Sequence, residues 1–493
     1  MSLTKTLSFI SRFRYELIAF CSGAAVMIIE LVGVRFIAPD FGTSIYVWTA
    51  IIGVILGALA FGYWYGGRLA DKSATDEGLM VIFLLASVAW LASVWLRDSI
   101  LELAGAMPGG LRGQAFVASL LLFAPVSALL GMVSPYLVKL KLVNLKTAGR
   151  YVGGLYAAGT VGSIAGTFAA GYWLIPLFNS RAVGWAMVFA LLGISLLAQR
   201  RKLLIHRLIV AVAAVLLLVM PTQSSSNSGV IYDGDGLYSR YQVIDGRYHG
   251  RPVRHLVTDK FTLQSSIYIG DPYTPVLDYS TRMDEVIVQS QPRRMLLIGG
   301  GSYTLAQLAV LKNPKVTVDV VEIDPMLDEL AVKYFSFKPD KRIKIIHEDG
   351  RTFLNKLETK YDLIVMDAFS SQFPPFQLTT VEVLEKIKES LTPGGLVMAN
   401  IISAAEGPEA GFLQAQYLTY QEVFNKAVAF QATPGANKAA RLNVILLAAE
   451  DNNLSEYQKP EEGRVFLSIN TSHSKVLTDD FAPVEALTAR GFY

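Results

Sequence analysis

The sequence predicts an α-helical transmembrane bundle of about seven spans, followed by a Rossmann-like α/β domain with a small N-terminal β unit. Three observations carry this reading. Apolar residues make up 52% of the 493-residue chain and its mean hydropathy is +0.39, with the excess lying before residue 221. From Met295 to Asp324 the chain runs apolar strand, three glycines, helix, β-branched strand, acid, which is half of a doubly wound sheet. Between these parts, Tyr238 to Ile269 alternates polar and apolar residues, as half-buried antiparallel strands do. The expected domains are 1–220 in the membrane, a linker at 221–236, the β unit with its entry helix at 237–290, and the α/β domain at 291–493.

In the first part, seven apolar runs are long enough, or nearly so, to span: roughly 15–37, 45–65, 78–96, 114–138, 151–175, 181–198 and 203–220. The first is too long and too polar-flanked for a cleaved signal peptide. Gly53-x-x-x-Gly57, Gly62-x-x-x-Gly66 and Gly162-x-x-x-Gly166 allow helices to pack backbone to backbone. The stretch from Gly66 to Lys72 is similar to the loop after the second helix of major-facilitator transporters, and is expected to be a loop. Glu30 falls inside the first span, where a carboxylate needs a partner such as Arg35, or a polar cavity. Basic residues cluster in alternate loops: Lys5, Arg12 and Arg14; Arg68 and Lys72; Lys139, Lys141, Lys146 and Arg150; and Arg200 to Lys202 with Arg207. The positive-inside rule then puts the N-terminus in the cytoplasm of a multi-pass protein of the plasma or inner membrane.

Net charge is only +3, so nothing argues for a nucleic-acid partner. The one cysteine, Cys21, lies in an apolar run. A disulfide within the chain is excluded, and no metal is expected.

Pro221 to Gly229 is polar and serine-rich, a natural linker. Turns are expected at Asp245-Gly246 and His249-Gly250, and the segment from Asp271 to Val288 leads into a helix. The α/β core follows. Met295 to Ile298 is a strand, Gly299, Gly300 and Gly301 the turn, Thr304 to Leu311 a helix, and Val316 to Val321 a strand ending in Glu322 and Asp324. After a helix at about 325–335, strand Ile343 to Ile346 leads to Asp349, and strand Leu363 to Met366 to Asp367. A helix from about Thr380 to Ser390 precedes a last strand, Leu396 to Ile401. Ligands of such sheets bind beyond the carboxyl ends of the strands, where Gly299 to Gly301, Glu322, Asp349 and Asp367 all fall. Glycines let a ligand approach the backbone, and an acid ending the second strand can accept from ribose hydroxyls. The third position of a dinucleotide fingerprint is Thr304, which favours a nucleoside without a pyrophosphate.

From about Tyr238 to Ile401 the chain resembles the spermidine synthase (polyamine aminopropyltransferase) family. The motifs are the three glycines, Glu322-Ile-Asp324, Glu348-Asp-Gly350, Tyr361 to Asp367, and Leu391-Thr-Pro-Gly-Gly395; Asp259 and Gln264-Ser265 resemble its Asp-Gly-x-x-Gln-Ser hairpin. With the apolar half attached, it looks like the membrane-bound, transporter-fused branch. The resemblance implies an S-adenosylmethionine-type domain that transfers an aminopropyl group from decarboxylated S-adenosylmethionine to an amine. It puts the ribose on Glu322, the adenine amino group on Asp349, and Gln264 with the glycines at the co-substrate. Tyr279 falls near a tyrosine lining the amine channel. Asp367 falls on the first acid of the catalytic loop. Two family acids are replaced: the one holding the aminopropyl ammonium falls on Ser302, and the one that helps deprotonate the amine falls on Ser370.

A serine is a poor base unless another group activates it, and loss of the acid at 302 removes repulsion toward the carboxylate of intact S-adenosylmethionine. Two alternatives therefore stand beside aminopropyl transfer: an S-adenosylmethionine-dependent methyltransferase, and a non-catalytic membrane transport or binding protein with a nucleoside-sensing domain. Implied partners are the lipid bilayer, a small-molecule acceptor and, by resemblance, a second copy of the chain. Seven crossings conflict with a cytosolic nucleoside co-substrate: either one run does not cross, the seventh, short and opening on His206 and Arg207, being the weakest, or the soluble domain faces outward.

Overall fold

The computed structural model describes residues 13–142, 145–199, 203–219, 229–258, 263–368, 374–450, 454, 457 and 464–488. They fall into two compact units, Met1–Ser226 and Asn227–Tyr493.

The first unit is all helix: α1 (Arg14–Phe41), α2 (Ile45–Ser73), α3 (Asp76–Trp95), a short α4 (Arg97–Gly105), α5 (Gly110–Lys141), α6 (Ala148–Ala169), α7 (Ser180–Ala198) and α8 (Leu204–Val219). A π-helical turn, Ala170–Leu174, carries α6 on to Leu177. Short polar residues start three of these helices. The side chains of Ser44, Thr75 and Asn179 accept from the backbone N–H of Val47, Gly78 and Ala182, satisfying first-turn donors that lipid would leave bare. Among the described residues, six helices are long and apolar enough to cross a membrane: α1, α2, α3, α5, α6 with its continuation, and α7. The seventh run is not among them over its described length. Helix α8 has 16 residues, short of the roughly 20 that a bilayer core requires. Its buried Arg207 donates to the carbonyls of Ser195 (2.9 Å) and Gln199 at the end of α7, where a helix leaves acceptors unsatisfied.

Two of the three glycine pairs make the close contacts expected of them. A Cβ on Gly62 would lie 2.1 Å from the Ala128 carbonyl of α5, and one on Gly162 would lie 2.0 Å from the Phe20 carbonyl of α1; Gly66 and Gly166 are similarly tight against Met132 and Ala24. Gly53 and Gly57 meet nothing within 4 Å. Across α3, Trp90 Nε1 donates to the Gly184 carbonyl (2.9 Å) and Ser87 Oγ to Val188 (3.0 Å), polar links of the kind that fix helix pairs in lipid. Glu30 is half-buried on α1. The stretch from Gly66 to Lys72 is no loop. It forms the last turns of α2; of its two glycines, Gly66 is required by the contact with Met132 of α5 and Gly67 has room for a side chain.

The second unit has two sheets. The smaller is an antiparallel meander in sequence order: β1 (Val230–Asp235), β2 (Arg240–Tyr248), β3 (Arg251–Val257), β4 (Leu263–Tyr268) and β5 (Asp271–Pro275). Strand β1 occupies part of the stretch read as linker. The turn at His249-Gly250 is present, both residues having positive φ (47° and 77°). Asp245-Gly246 is not a turn but the middle of β2: Asp245 takes a bidentate pair from Arg254 on β3, and a Cβ at Gly246 would come within 3.7 Å of the His255 ring.

Helix α9 (Asp278–Ser290) leads into the larger sheet. Its elements are β6 (Arg294–Ile298), α10 (Thr304–Lys312), β7 (Thr317–Glu322), α11 (Met326–Tyr334), β8 (Ile343–His347), α12 (Gly350–Asn355), β9 (Tyr361–Met366), α13 (Val381–Glu389), β10 (Leu391–Ser403), α14 (Gly411–Val423), β11 (Lys426–Gln431), β12 (Leu442–Ala449) and α15 (Val484–Thr488). The strand order is β11-β12-β10-β9-β6-β7-β8. Strands β6 to β10 run parallel, and β12 is antiparallel to both β10 and β11. Order reverses between β6 and β9, which places a crevice at their carboxyl ends. Tyr241, Val243, Leu256 and Ile267 of the small sheet form one core with Leu327, Leu330 and Phe335, so that sheet leans on α11.

Gly162→Leu is expected to lower the melting temperature of the detergent-solubilised chain, since its side chain has no room against α1 and overpacking costs about 1–3 kcal/mol. Gly53→Leu, facing open space, is expected to melt as the parent does. Equal melting of the two variants would refute the packing of α6 on α1.

Candidate functional site

The carboxyl edge of the large sheet holds a cavity of about 300 Å³. Strand β6 delivers the glycine turn to it. Gly299 has φ +96°, and a Cβ there would meet the Asp367 carbonyl at 2.5 Å; Gly301 has φ +54°, with Ser265 Oγ at 2.7 Å from such a Cβ. Both positions therefore require glycine. Tyr303 follows in the left-handed region at φ +59°. It is fully buried, its ring 5.0 Å from that of Phe337 and its hydroxyl bonded to Asp328.

Glu322 ends β7 and faces this turn. One carboxylate oxygen accepts from Gly300 N (2.8 Å) and Gly301 N (3.4 Å), and the other from Asp324 N (3.0 Å). Only 6% of the residue is exposed. Burial pushes its pKa up, and the three backbone N–H groups oppose that shift. Oε1, with one donor, keeps a further acceptor site for a ligand, while Oε2 already accepts from two. The second acid of the motif does different work. Asp324 is fully buried; Oδ2 accepts from Tyr238 N and the Tyr241 hydroxyl (both 3.1 Å), and Oδ1 from Met326 N (3.1 Å). It fastens β2 to the end of β7, and it does not line the cavity.

Asp349 follows β8 and lines the cavity while capping α12, its side chain accepting from Thr352 N at 2.9 Å. The small sheet and α9 supply the opposite wall. Gln264 and Tyr279 both line it, and the Tyr279 hydroxyl donates to the Gln264 carbonyl at 2.6 Å. Burial and the nearby Asp367 hold the Tyr279 phenol protonated. Gln264 Oε1 is buried and has no hydrogen-bond partner, an acceptor available to a ligand donor.

Asp367 ends β9 on the same cavity. Burial pushes its pKa up to about 7, against a hydrogen bond from Asn400 that pulls it down. Asn400 Nδ2 donates to Asp367 Oδ1 (2.9 Å), and Asn443 Nδ2 donates to Asn400 Oδ1 (2.9 Å). Both asparagines line the cavity. Sequence reasoning missed them, because neutral amides on apolar strands carry no charge or spacing signal; the position of Asn400 at the end of a parallel strand was the one available cue.

Ser302 stands apart from its expected place. It is 2% exposed, its hydroxyl lies 2.7 Å from that of Thr304, and it is not among the cavity-lining residues. Thr304 lines the cavity in its stead, because the left-handed Tyr303 turns the chain into α10 there. Ser370 and Asp259 lie outside the described residues. Among the described residues, no group of three or more His, Cys, Asp or Glu side chains could hold a metal ion.

Residues 280–436 match the spermine/spermidine synthase domain. Among curated relatives, a probable polyamine aminopropyl transferase of Bifidobacterium longum is 26% identical, over 53% of this chain and 62% of its own length. A polyamine aminopropyltransferase of Vibrio vulnificus is 27% identical, over 41% of this chain and 72% of its own. An eEF1A lysine and N-terminal methyltransferase of Danio rerio is 28% identical, over 30% of this chain and 23% of its own. The chain thus spans less than two thirds of the first of these relatives.

Asp324→Ala strands three donors and is expected to destabilise the protein by several kcal/mol, at about 1–3 kcal/mol for each orphaned buried group. Tyr241→Phe loses one hydrogen bond, worth about 1 kcal/mol. Denaturant titration ranks the two, and the reverse order would refute the clamp.

Asp367 also predicts a pH dependence. Its folded pKa of about 7 stands above the ordinary carboxylate value of 3.8. Between these values the native state binds more protons than the unfolded one, so this group lowers stability as pH rises through that window. Asp367→Asn is therefore expected to stabilise the protein more at pH 8 than at pH 5. Equal gains at both pH values would contradict the buried, proton-holding environment.

Proposed function

We propose that this chain, whose C-terminal part carries a spermine/spermidine synthase domain, is a membrane-anchored aminopropyltransferase. It moves the aminopropyl group of decarboxylated S-adenosylmethionine onto a small amine. The observation that carries this reading is the charge of the cavity. Its described lining includes Glu322, Glu348, Asp349 and Asp367 and no lysine, arginine or histidine. Such a wall concentrates cations, and both reactants are cations: a sulfonium with a terminal ammonium, and an amine. The carboxylate of intact S-adenosylmethionine would find no cationic partner among these residues, so the decarboxylated form is favoured even though Ser302 replaces an acid.

Glu322 and Asp349, at the ends of β7 and β8, take the ribose and adenine. Gln264 Oε1 takes a donor from the same co-substrate. The acceptor amine lies toward β9 and β10, beside Tyr279 and Asp367. Its nitrogen lone pair bonds to the propyl carbon next to sulfur, and the carbon–sulfur pair leaves on sulfur as a neutral thioether. The incoming ammonium must first lose a proton. Asp367 accepts it, since a carboxylate with a pKa near 7 is a stronger base than an ordinary one and is still substantially ionised at neutral pH. Ser370 is then not required as the base.

With six crossings both ends of the membrane unit would share one side, and the basic loops favour the cytoplasm for it. This reading removes the conflict with a cytosolic co-substrate.

Calorimetric titration of the full chain in detergent tests the proposal. Decarboxylated S-adenosylmethionine is expected to bind at least tenfold more tightly than the intact form, a difference of about 1.4 kcal/mol, and to label an added amine. Glu322→Ala is expected to abolish binding of both. Preference for the intact form with methyl transfer would replace the proposal by a methyltransferase; binding of neither would leave a non-enzymatic membrane protein.

A further inference from the structure

We infer that Asn400 and Asn443 are positioning residues that hold Asp367 in its proton-accepting form. The inference rests on the aminopropyl-transfer reading only for the use made of that proton. A carboxamide has one donating and one accepting end. Asn443 Nδ2 points its donor at Asn400 Oδ1, so the end of Asn400 left for Asp367 is its NH₂ group, 2.9 Å from Oδ1. An ionised carboxylate only accepts, and this chain of amides only donates toward it. Protonated on Oδ2, Asp367 keeps the bond from Asn400 to Oδ1 only in its weaker, neutral form. Protonated on Oδ1, it would need Asn400 to turn its oxygen around, setting the Asn400 NH₂ against that of Asn443.

The fold fixes both members. Asn400 is 3% exposed on β10, and Asn443 sits on β12, where antiparallel pairing sets it opposite Ile402. Asn443 thus comes from the antiparallel hairpin that follows the parallel strands, which gives that hairpin a part in the site. Other titratable groups line the same cavity: Tyr238, Tyr241, Tyr279, Glu322, Glu348 and Asp349. The carboxylates among them, like burial itself, favour the protonated acid. The hydrogen bond from Asn400 acts in the opposite direction. With one Asp367 oxygen engaged by Asn400, the other is left for the ammonium of the acceptor.

Two variants of the full chain test this. Asn443→Leu removes the donor that orients Asn400. Asn443→Asp replaces it by an acceptor, which draws the Asn400 NH₂ away and presents its oxygen to Asp367. The direct readout is the titration of the Asp367 carboxyl by ¹³C NMR in aspartate-labelled protein, identified by difference from Asp367→Asn. The second readout is the acid limb of the pH profile of kcat. Both are expected to move up, by roughly one to two pH units for a hydrogen bond to a charged group, and further for Asn443→Asp than for Asn443→Leu. Affinity for methylthioadenosine, the thioether that aminopropyl transfer would release, is measured alongside to report whether the nucleoside end of the cavity stays intact. An unmoved Asp367 titration in Asn443→Leu with that affinity kept overturns the inference. Should Asn443→Asp fail to fold, Asn443→Leu decides alone. If no amine is ever labelled, the function proposed above falls, while the NMR titration still decides whether the amides set the ionisation of Asp367.

Discussion

A single buried carboxylate organises the C-terminal unit. Glu322 receives the backbone N–H groups of Gly300, Gly301 and Asp324, and so joins the end of β7 to the turn after β6. Those N–H groups stand at a turn where the strand ladder has ended and helix α10 has not begun. Without Glu322 they would need water or a ligand. With it, the turn is held open before anything binds. The glycines follow from this arrangement, because Asp367 and Ser265 approach too closely for side chains.

The neighbouring acids divide the remaining tasks. Asp324 ties the small sheet to the core, Asp349 starts a helix, and Asp367 stays half-buried beside two amides. Asp367 stands out because its surroundings oppose its charge. A site that must take a proton at neutral pH is well served by such a group, and the protein is less stable for keeping it. Tyr303 shows the same tension in the backbone: a left-handed conformation is accepted because the buried ring and its hydrogen bond offset the strain.

Much of this was legible in the sequence, for physical reasons that vary by element. Strands β6, β7 and β9 are short apolar runs buried on both faces, each ending in glycine or acid, so both strand and site edge could be read. Glu322 and Asp324 could not be told apart, since two acids at a strand end look alike until one is seen to meet Tyr238 and Tyr241. Asp245-Gly246 has the composition of a turn, yet the Arg254 pair and the His255 ring keep it in a strand. In the membrane unit the apolar runs marked the helices. Gly66 to Lys72 was misread because glycines that admit a neighbouring helix resemble glycines that end one. The seventh run is shorter than the other six over its described length, and its leading Arg207 serves the end of α7. Asn400 and Asn443 become visible only when β10 and β12 are placed side by side.

The Asp324 clamp also bears on how the chain is made. Tyr241 and the acid that receives it are 83 residues apart, and the small sheet leaves the ribosome first. At about 5–20 residues per second, Tyr241 waits roughly 4–17 seconds for Asp324 to emerge. From completion of the small sheet until α11 is made, Tyr241, Val243, Leu256 and Ile267 have strand partners but no helix to cover them. The nascent β unit is therefore an exposed apolar surface during synthesis, and it is covered only once the strand that carries Asp324 and the helix after it have been made.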